Sequence, residues 1–412
     1  MPSPDYFLHA QDELLGMLDA YVTIVIEDIA RRIVKTGIVT DAAYHQSEIF
    51  KQSNALYKDM IKRVSQISGY TEAEIRRLFN EAANLSMDEE NEIYKKAGMS
   101  TYDLEDSRVL KSILDSNLRK TLLDVSNLTM TTAITAQTAY INACNMAQIA
   151  VQAGGFSYDQ AIARAIKQAA EHGVTVSYPS GHVDQLDVAI RRSVLTGTNQ
   201  SCADINLQYA KEIGCDYVET TAHSGARPSH ALWQGKVFCI SGKDTDYPEF
   251  YSATGYGTGP GLCGWNCRHS FHAFVPGVSK QVYTDAMLRE YDAKKYSYNG
   301  KKCTEYDISQ IQRRKERRIR ATKRKLAGCN AGMKNTDDEA LKKALEREFI
   351  LNSMHLKQQE KELKAFCKKF KRKYESARVQ VHAVLDSKGN IIGFDRSTAQ
   401  KAVWANKKGV NP

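Results

Sequence analysis

The chain has 412 residues, 42% hydrophobic and 25% charged, which suits two or three packed domains and excludes a disordered polymer or a collagen-like fibre. No apolar run reaches the roughly 18 residues of a membrane-spanning helix, and the opening Met1-Pro2-Ser3-Pro4-Asp5 lacks a basic-then-apolar secretory signal. The formal net charge of +9 is uneven: residues 1–110 hold more acids than bases, whereas residues 301–376 hold about twice as many bases as acids. The two ends therefore face different partners. Nine cysteines, spread from Cys144 to Cys367 without a dense even framework, point to reduced thiols in a cytoplasm.

In chain order, Leu14, Leu15, Leu18, Val22, Val25, Ile29 and Ile33 recur at spacings of mostly three and four, which puts one apolar stripe on a helix. Thr71-Glu72-Ala73-Glu74 reads as a capping box opening a second helix that ends near Gly98. Residues 103–152, rich in Leu, Ala and Thr and without Pro or Gly, predict one or two long helices. Ser157-Tyr158-Asp159-Gln160 opens another, closed by Gly173. A helical domain over residues 1–200 follows.

Texture changes after about Gly197, where glycines, aromatics, cysteines and histidines gather and helical periodicity fades. Tyr217-Val218-Glu219-Thr220 and Lys236-Val237-Phe238-Cys239-Ile240 predict short strands, so residues 201–278 read as a small α+β module. From Ser279 the helical pattern returns, broken from Gly328 to Thr336. Thr336-Asp337-Asp338-Glu339 caps a helix reaching about Tyr374, and residues 279–376 predict a basic helical hairpin. Val379–Val384 and Ile391–Phe394 flank Ser387-Lys388-Gly389-Asn390, predicting a β-hairpin and tail over residues 377–412, with the last dozen residues frayed. The expected fold class is α+β, mostly helical.

The densest chemistry lies in His223-Ser224-Gly225-Ala226-Arg227-Pro228-Ser229-His230 and in Cys263-Gly264-Trp265-Asn266-Cys267-Arg268-His269-Ser270-Phe271-His272. Thiolate and imidazole are ligands that zinc prefers, and a loop-rich module gains from a metal crosslink. Cys263 and Cys267 form a candidate ligand pair, completed by His269, His272, His223 or His230; the leading set is Cys263, Cys267, His269 and His230. A structural zinc is thus one reading, with no other cofactor expected. Buried thiols and hydrogen-bonded histidines are the other. A catalytic alternative makes Cys267 or Cys263 a nucleophile with His230 or His269 as base, but no third orienting residue is identifiable. The glycines at 255, 257, 259 and 261 lack a preceding strand and a GK[ST] ending, so a tight turn is expected rather than a phosphate cradle.

The string from Ala226 to Phe238, with Gly255-Tyr256-Gly257, Cys263 to His269 and Pro276-Gly277-Val278, resembles the phage minor capsid protein 2 family, related to the Mu gpF-like head-morphogenesis module. Within it the motif residues are Arg227, His230, Gly235, Cys267, Arg268 and His269. The likeness continues through Tyr306, Gln310, Gln312-Arg313, Glu316-Arg317, Ile319-Arg320 and Lys323. The resemblance implies a structural, non-enzymatic virion component made in the host cytoplasm. It further implies a place near the portal and in head assembly, portal and capsid proteins as partners, and a role in DNA packaging or delivery. Many related modules end in Cys-Arg-Cys where this chain has Cys267-Arg268-His269, so no ligand set is carried over.

Nine bases and one acid crowd Arg313 to Lys325: Arg313, Arg314, Lys315, Arg317, Arg318, Arg320, Lys323, Arg324 and Lys325 are the candidate contacts to phage DNA, non-specific, or to an acidic protein surface. The bland counterpart is a solvated helix face. The rivals to a head protein are a stand-alone DNA-binding protein and a Cys/His-dependent hydrolase.

Overall fold

A computed structural model describes residues 2–10, 12–38, 41–375, 379, 383–385 and 391–394. The chain is 67% helical with small antiparallel sheets, a mostly helical α+β protein. It opens with α1 (Tyr6–His9), α2 (Asp12–Thr36), α3 (Ala42–Lys96), a 3-10 turn at Leu104–Asp106 and α4 (Arg108–Gln152). Then come α5 (Tyr158–His172), the strands β1 (Thr175–Ser177) and β2 (Val183–Gln185), and α6 (Leu186–Ile213). The central stretch holds β3 (Tyr217–Thr220), α7 (Pro228–Ala231), β4 (Val237–Cys239), α8 (Phe250–Thr254) and β5 (Phe271–Ala273). It is followed by α9 (Asp285–Asp292), β6 (Tyr296–Tyr298), β7 (Lys301–Cys303), α10 (Glu305–Lys334), α11 (Glu339–Lys369), β8 (Ala383–Leu385) and β9 (Ile391–Phe394).

Contacts gather these elements into two compact units, each from three separated stretches. Unit 1 is Met1–Asp12, Thr71–Val125 and Ile190–Ile311; unit 2 is Glu13–Tyr70, Ser126–Ala189 and Gln312–Pro412.

In unit 2 the stripe on α2 is buried as its spacing predicts, except that Leu15 is only half-buried. Each aliphatic side chain so buried contributes about 1.5–3 kcal/mol relative to exposure. Against it lies α10, which does not break at Gly328. A Cβ there would come within 3.2 Å of Ala170 Cβ and 3.3 Å of Ile166 Cγ2, so the glycine marks a close helix crossing rather than a helix end. α11 returns antiparallel to α10, joined by Thr322 Oγ1 donating to Gln359 Oε1 (2.9 Å) and by a core of Ile319, Leu326, Cys329, Phe349, Leu356, Leu363 and Cys367. The N-cap of α11 is Asp338, whose carboxylate accepts from Ala340 N and Leu341 N, and the helix stops at Lys369 rather than Tyr374.

Thr71 does not open a helix either. It lies inside α3, because buried Ile49, Leu56, Met60 and Val64 carry the stripe of that helix continuously from further upstream. The Glu74 carboxylate pairs with Arg77 at 2.7 Å instead of reaching back to a cap. Residues 108–152 form one helix, and α5 has its capping box at Ser157 and Gln160 and ends at Gly173. Two hairpins were not anticipated: β1 pairs with β2, and β6 pairs with β7 through Asn299 (φ 49°) and Gly300 (φ 77°), the left-handed pair that a tight hairpin demands. β8 and β9 pair antiparallel, Ala383 opposite Phe394; the turn expected at Ser387–Asn390 and the frayed tail lie outside the described residues.

In unit 1 a buried polar chain ties helices to sheet. Asn206 Nδ2 donates to Glu90 Oε1 (2.8 Å), Ser86 Oγ donates to Asn206 Oδ1 (2.8 Å), and Ala273 N donates to Glu90 Oε2 (3.0 Å). Burial raises the pKa of Glu90. Among the described helices none is long and apolar enough to cross a membrane.

His45 on α3 yields a test. Its ring is fully buried, neither nitrogen has a hydrogen-bond partner among the described residues, and burial lowers its pKa below 6.5. The folded state therefore refuses a proton that the unfolded chain accepts, so stability present above pH 6.5 is lost as pH falls below it. A His45→Leu variant should match or exceed the parent at neutral pH by about 1 kcal/mol. Its melting temperature should also fall less on acidification; parallel curves for the two proteins in thermal scans would contradict this.

Candidate functional site

The central module is built on β3, flanked antiparallel by β4 (Val218 opposite Phe238) and β5 (Val218 opposite Ala273). Val218, Phe238 and Phe271 pack with Trp233, Phe250, Leu262, Cys263 and Cys267 into one buried cluster. β-Branched and aromatic residues suit such a half-buried pleated face.

Between α8 and β5 the chain coils tightly. Leu262 N donates to Thr254 O (3.0 Å), Trp265 N to Gly259 O (2.7 Å) and Cys267 N to Gly264 O (3.1 Å). A Cβ on Gly261 would stand 2.0 Å from Gly255 O, and one on Gly264 2.2 Å from Gly259 O, so the glycines let backbone pass over backbone. That is why this segment is glycine-rich, as the tight-turn reading expects. Asn199 on α6, fully buried, pins the end of the coil by donating from Nδ2 to Cys267 O (3.3 Å) and His269 O (2.9 Å).

The coil and α7 bring His230, Cys267 and His269 together. His230 Nδ1 lies 3.3 Å from His269 Nδ1, and Cys267 Sγ lies 3.7 Å from the first and 3.6 Å from the second. The tautomers follow from the other edges of the rings. His230 Nε2 meets the carbonyl oxygen of Pro260 at 2.8 Å, an atom that only accepts, so Nε2 carries the proton. His269 Nε2 meets Gln234 Oε1 at 3.1 Å; the same oxygen accepts from His223 N (3.2 Å), which fixes the orientation of the amide and makes Nε2 the donor again. Both Nδ1 lone pairs therefore point at each other and at the thiol.

Protein surroundings alone disfavour charge here. Burial lowers the pKa of His230 to about 4 and that of His269 well below 6.5, and raises the pKa of Cys267 to about 11. A nucleophile needs the opposite, an exposed thiol held as thiolate, and Cys267 is 1% exposed.

Of the candidate ligands, Cys263 stands apart from this trio: it is a core residue with φ 56°, its sulfur 3.7 Å from His269 O. His223 stacks on His269 with centroids 4.3 Å apart and has Arg268 Nη2 3.2 Å from its Nδ1. His272 instead pairs with Glu219 at 3.4 Å. Arg227, the N-cap of α7, donates from Nη2 to Trp265 O (2.6 Å). Gly235 has φ 66°, and a Cβ there would meet Tyr283 Cβ at 2.8 Å. Thus Arg227, His230, Cys267, Arg268 and His269 meet around one site, while Gly235 packs against Tyr283 and Leu288. Gln234, Pro260 and Asn199 were not singled out from sequence. Gln234 carried a signal, lying four residues after His230, but a carbonyl and a distant asparagine carried none.

The basic segment on α10 is largely absorbed within unit 2. Lys315 pairs with Glu362 (3.2 Å), Arg320 with buried Asp187 (2.6 Å), Lys323 with Glu360 (3.6 Å), and Lys325 with Glu171. Arg324 is buried and Arg313 half-buried. Arg314, Arg317 and Arg318 are the exposed members, spaced to share one helix face.

Because Gln234 Oε1 serves the buried Nε2–H of His269 and the part-buried N–H of His223, Gln234→Leu should orphan both, at about 1–3 kcal/mol for the buried one. Chemical denaturation checks this; a loss under about 0.5 kcal/mol would contradict the network.

The chain is 25% identical over 348 residues to a structural protein of Lactococcus phage LL-H, covering 79% of this chain and 86% of that one. It is 39% identical over 95 residues to a structural protein of Lactococcus phage mv4, covering 23% of this chain and 66% of that one. No solved structure matches. The model of the phage minor capsid protein 2 family matches residues 3–368, nearly the whole length over which the units and the Cys/His coil are built, and the chain belongs to that family.

Proposed function

We propose that this minor capsid protein acts in head assembly beside the portal, binding neighbouring capsid proteins through protein surfaces and meeting packaged DNA only through Arg314, Arg317 and Arg318. The observation that carries this reading is the capture of Lys315, Arg320, Lys323 and Lys325 by acids of the same unit. A cation already paired with an acid contributes less counterion release when it approaches phosphate, so these four of the nine bases serve the fold of the unit first. Exposed apolar side chains are compatible with protein docking: Met130, Ile134, Met146 and Ile149 lie exposed along α4 within unit 2. They fall in two pairs, Met130 with Ile134 and Met146 with Ile149, each spaced three or four residues apart on the helix. The family supports a structural role, and the burial of Cys267, 1% exposed, argues against the hydrolase reading. Synthesis in the host cytoplasm accords with nine free cysteines.

The DNA element is tested by salt dependence. Three arginines predict a slope of log K against log salt near −3, whereas nine free bases predict about −8. Fluorescence titration of the purified chain with duplex DNA should give the shallow slope, and Arg314→Ala/Arg317→Ala/Arg318→Ala should abolish it; a slope near −8 would restore the stand-alone DNA-binding reading. The assembly element is tested in the phage. Depletion of the protein should yield defective heads, with cross-links from the wild-type protein to the portal, and normal infectious particles without it would overturn the role.

A further inference from the structure

We infer that His230, His269 and Cys267 form a site for one zinc ion, with Nδ1, Nδ1 and Sγ as the ligand atoms. This inference does not rest on the capsid role.

It rests first on shape. Tetrahedral zinc with Zn–N of about 2.0–2.1 Å and Zn–S of about 2.3 Å requires an N···N edge of about 3.3 Å and N···S edges of about 3.6 Å. The protein holds 3.3, 3.6 and 3.7 Å between those three atoms. All three edges of the trio match that triangle together.

It rests second on protons. Pro260 O and Gln234 Oε1 consume the N–H of each ring, so two acceptor lone pairs converge at 3.3 Å in a site almost closed to water. The thiol has one proton and can satisfy one of them, leaving the other lone pair facing an acceptor, a costly arrangement for buried groups. A cation at the focus satisfies both imidazoles and the sulfur together. The two oxygens then play the part that outer partners of ligating histidines generally play, fixing tautomer and ring orientation.

Nitrogen and sulfur donors in tetrahedral disposition favour zinc over calcium or magnesium, which seek oxygen. No fourth His, Cys, Asp or Glu among the described residues joins the group, so the protein supplies three ligands. On binding, the S–H bond of Cys267 breaks, a Zn–S bond forms and the proton leaves to solvent, so affinity rises with pH. The ion would link α7 to the coil preceding β5, crosslinking the two segments that carry the motif residues.

The test uses the full chain produced in zinc-supplemented medium and dialysed against metal-free buffer. Elemental analysis should find about one zinc per chain, and less than about one fifth of that in Cys267→Ser and His269→Ala. Cys239→Ser, altering a buried cysteine elsewhere in the sheet, should keep its zinc. Because the ligand variants can misfold, cobalt replacement in the unaltered chain gives an independent reading: a thiolate-to-cobalt charge-transfer band with the intense visible absorption of tetrahedral cobalt. Folded parent protein with a stoichiometry near zero and no such band would overturn the site, as would full zinc retention in Cys267→Ser.

Discussion

Two oxygen atoms that can only accept, Pro260 O and Gln234 Oε1, determine how the central module is organised. By taking the Nε2 protons of His230 and His269 they turn both Nδ1 atoms inward toward Cys267. That orientation requires the coil from Gly255 to Ser270 to bring a carbonyl to one nitrogen of the His230 ring and a thiol to the other, and the coil requires Gly261 and Gly264 to lack side chains. Asn199 then locks its exit through two carbonyl oxygens. Motif residues scattered along the chain, Arg227, His230, Cys267, Arg268 and His269, meet in one network of contacts.

The rest of the molecule shows the same economy with charge. The acids that face α10 are drawn from α5, α6 and α11, so the most basic stretch of the chain is an internal seam of unit 2 as much as a surface. Arg320 with Asp187 is the most buried of these pairs, with Asp187 2% exposed, and a pair so placed is costly to break because the partner left behind cannot be solvated. This changes what the composition means. A run of bases is evidence about partners only after its own chain has been offered the charges first.

Several local signals in the sequence were borne out in the structure. The stripe on α2, the capping box at Ser157 and the strand at Tyr217–Thr220 all stand where side-chain period and capping chemistry put them. The capping-like string at Thr71 misled because cap residues mark a helix start only if the preceding residues leave the helix, and buried residues upstream keep them in. Gly328 misled because a glycine at a close helix crossing looks, in sequence, like one at a helix end. The β6–β7 hairpin announced itself through Asn299-Gly300 and was overlooked beneath a helical pattern. The gathering of separated stretches into two units, and the contribution of Asn199 to the coil, depend on contacts far apart in the chain, which no local pattern encodes. Of the site, the residue types and the three meeting side chains were visible; the exclusion of Cys263 from the trio was not.

The ring tautomers are the most direct test of this account. Two-bond nitrogen–proton correlation spectra of the chain labelled at histidine, assigned with His230→Gln and His269→Gln, read which ring nitrogen carries hydrogen. The account predicts, at neutral pH, neutral imidazoles protonated at Nε2 for both residues. A proton on Nδ1 of either ring would contradict it.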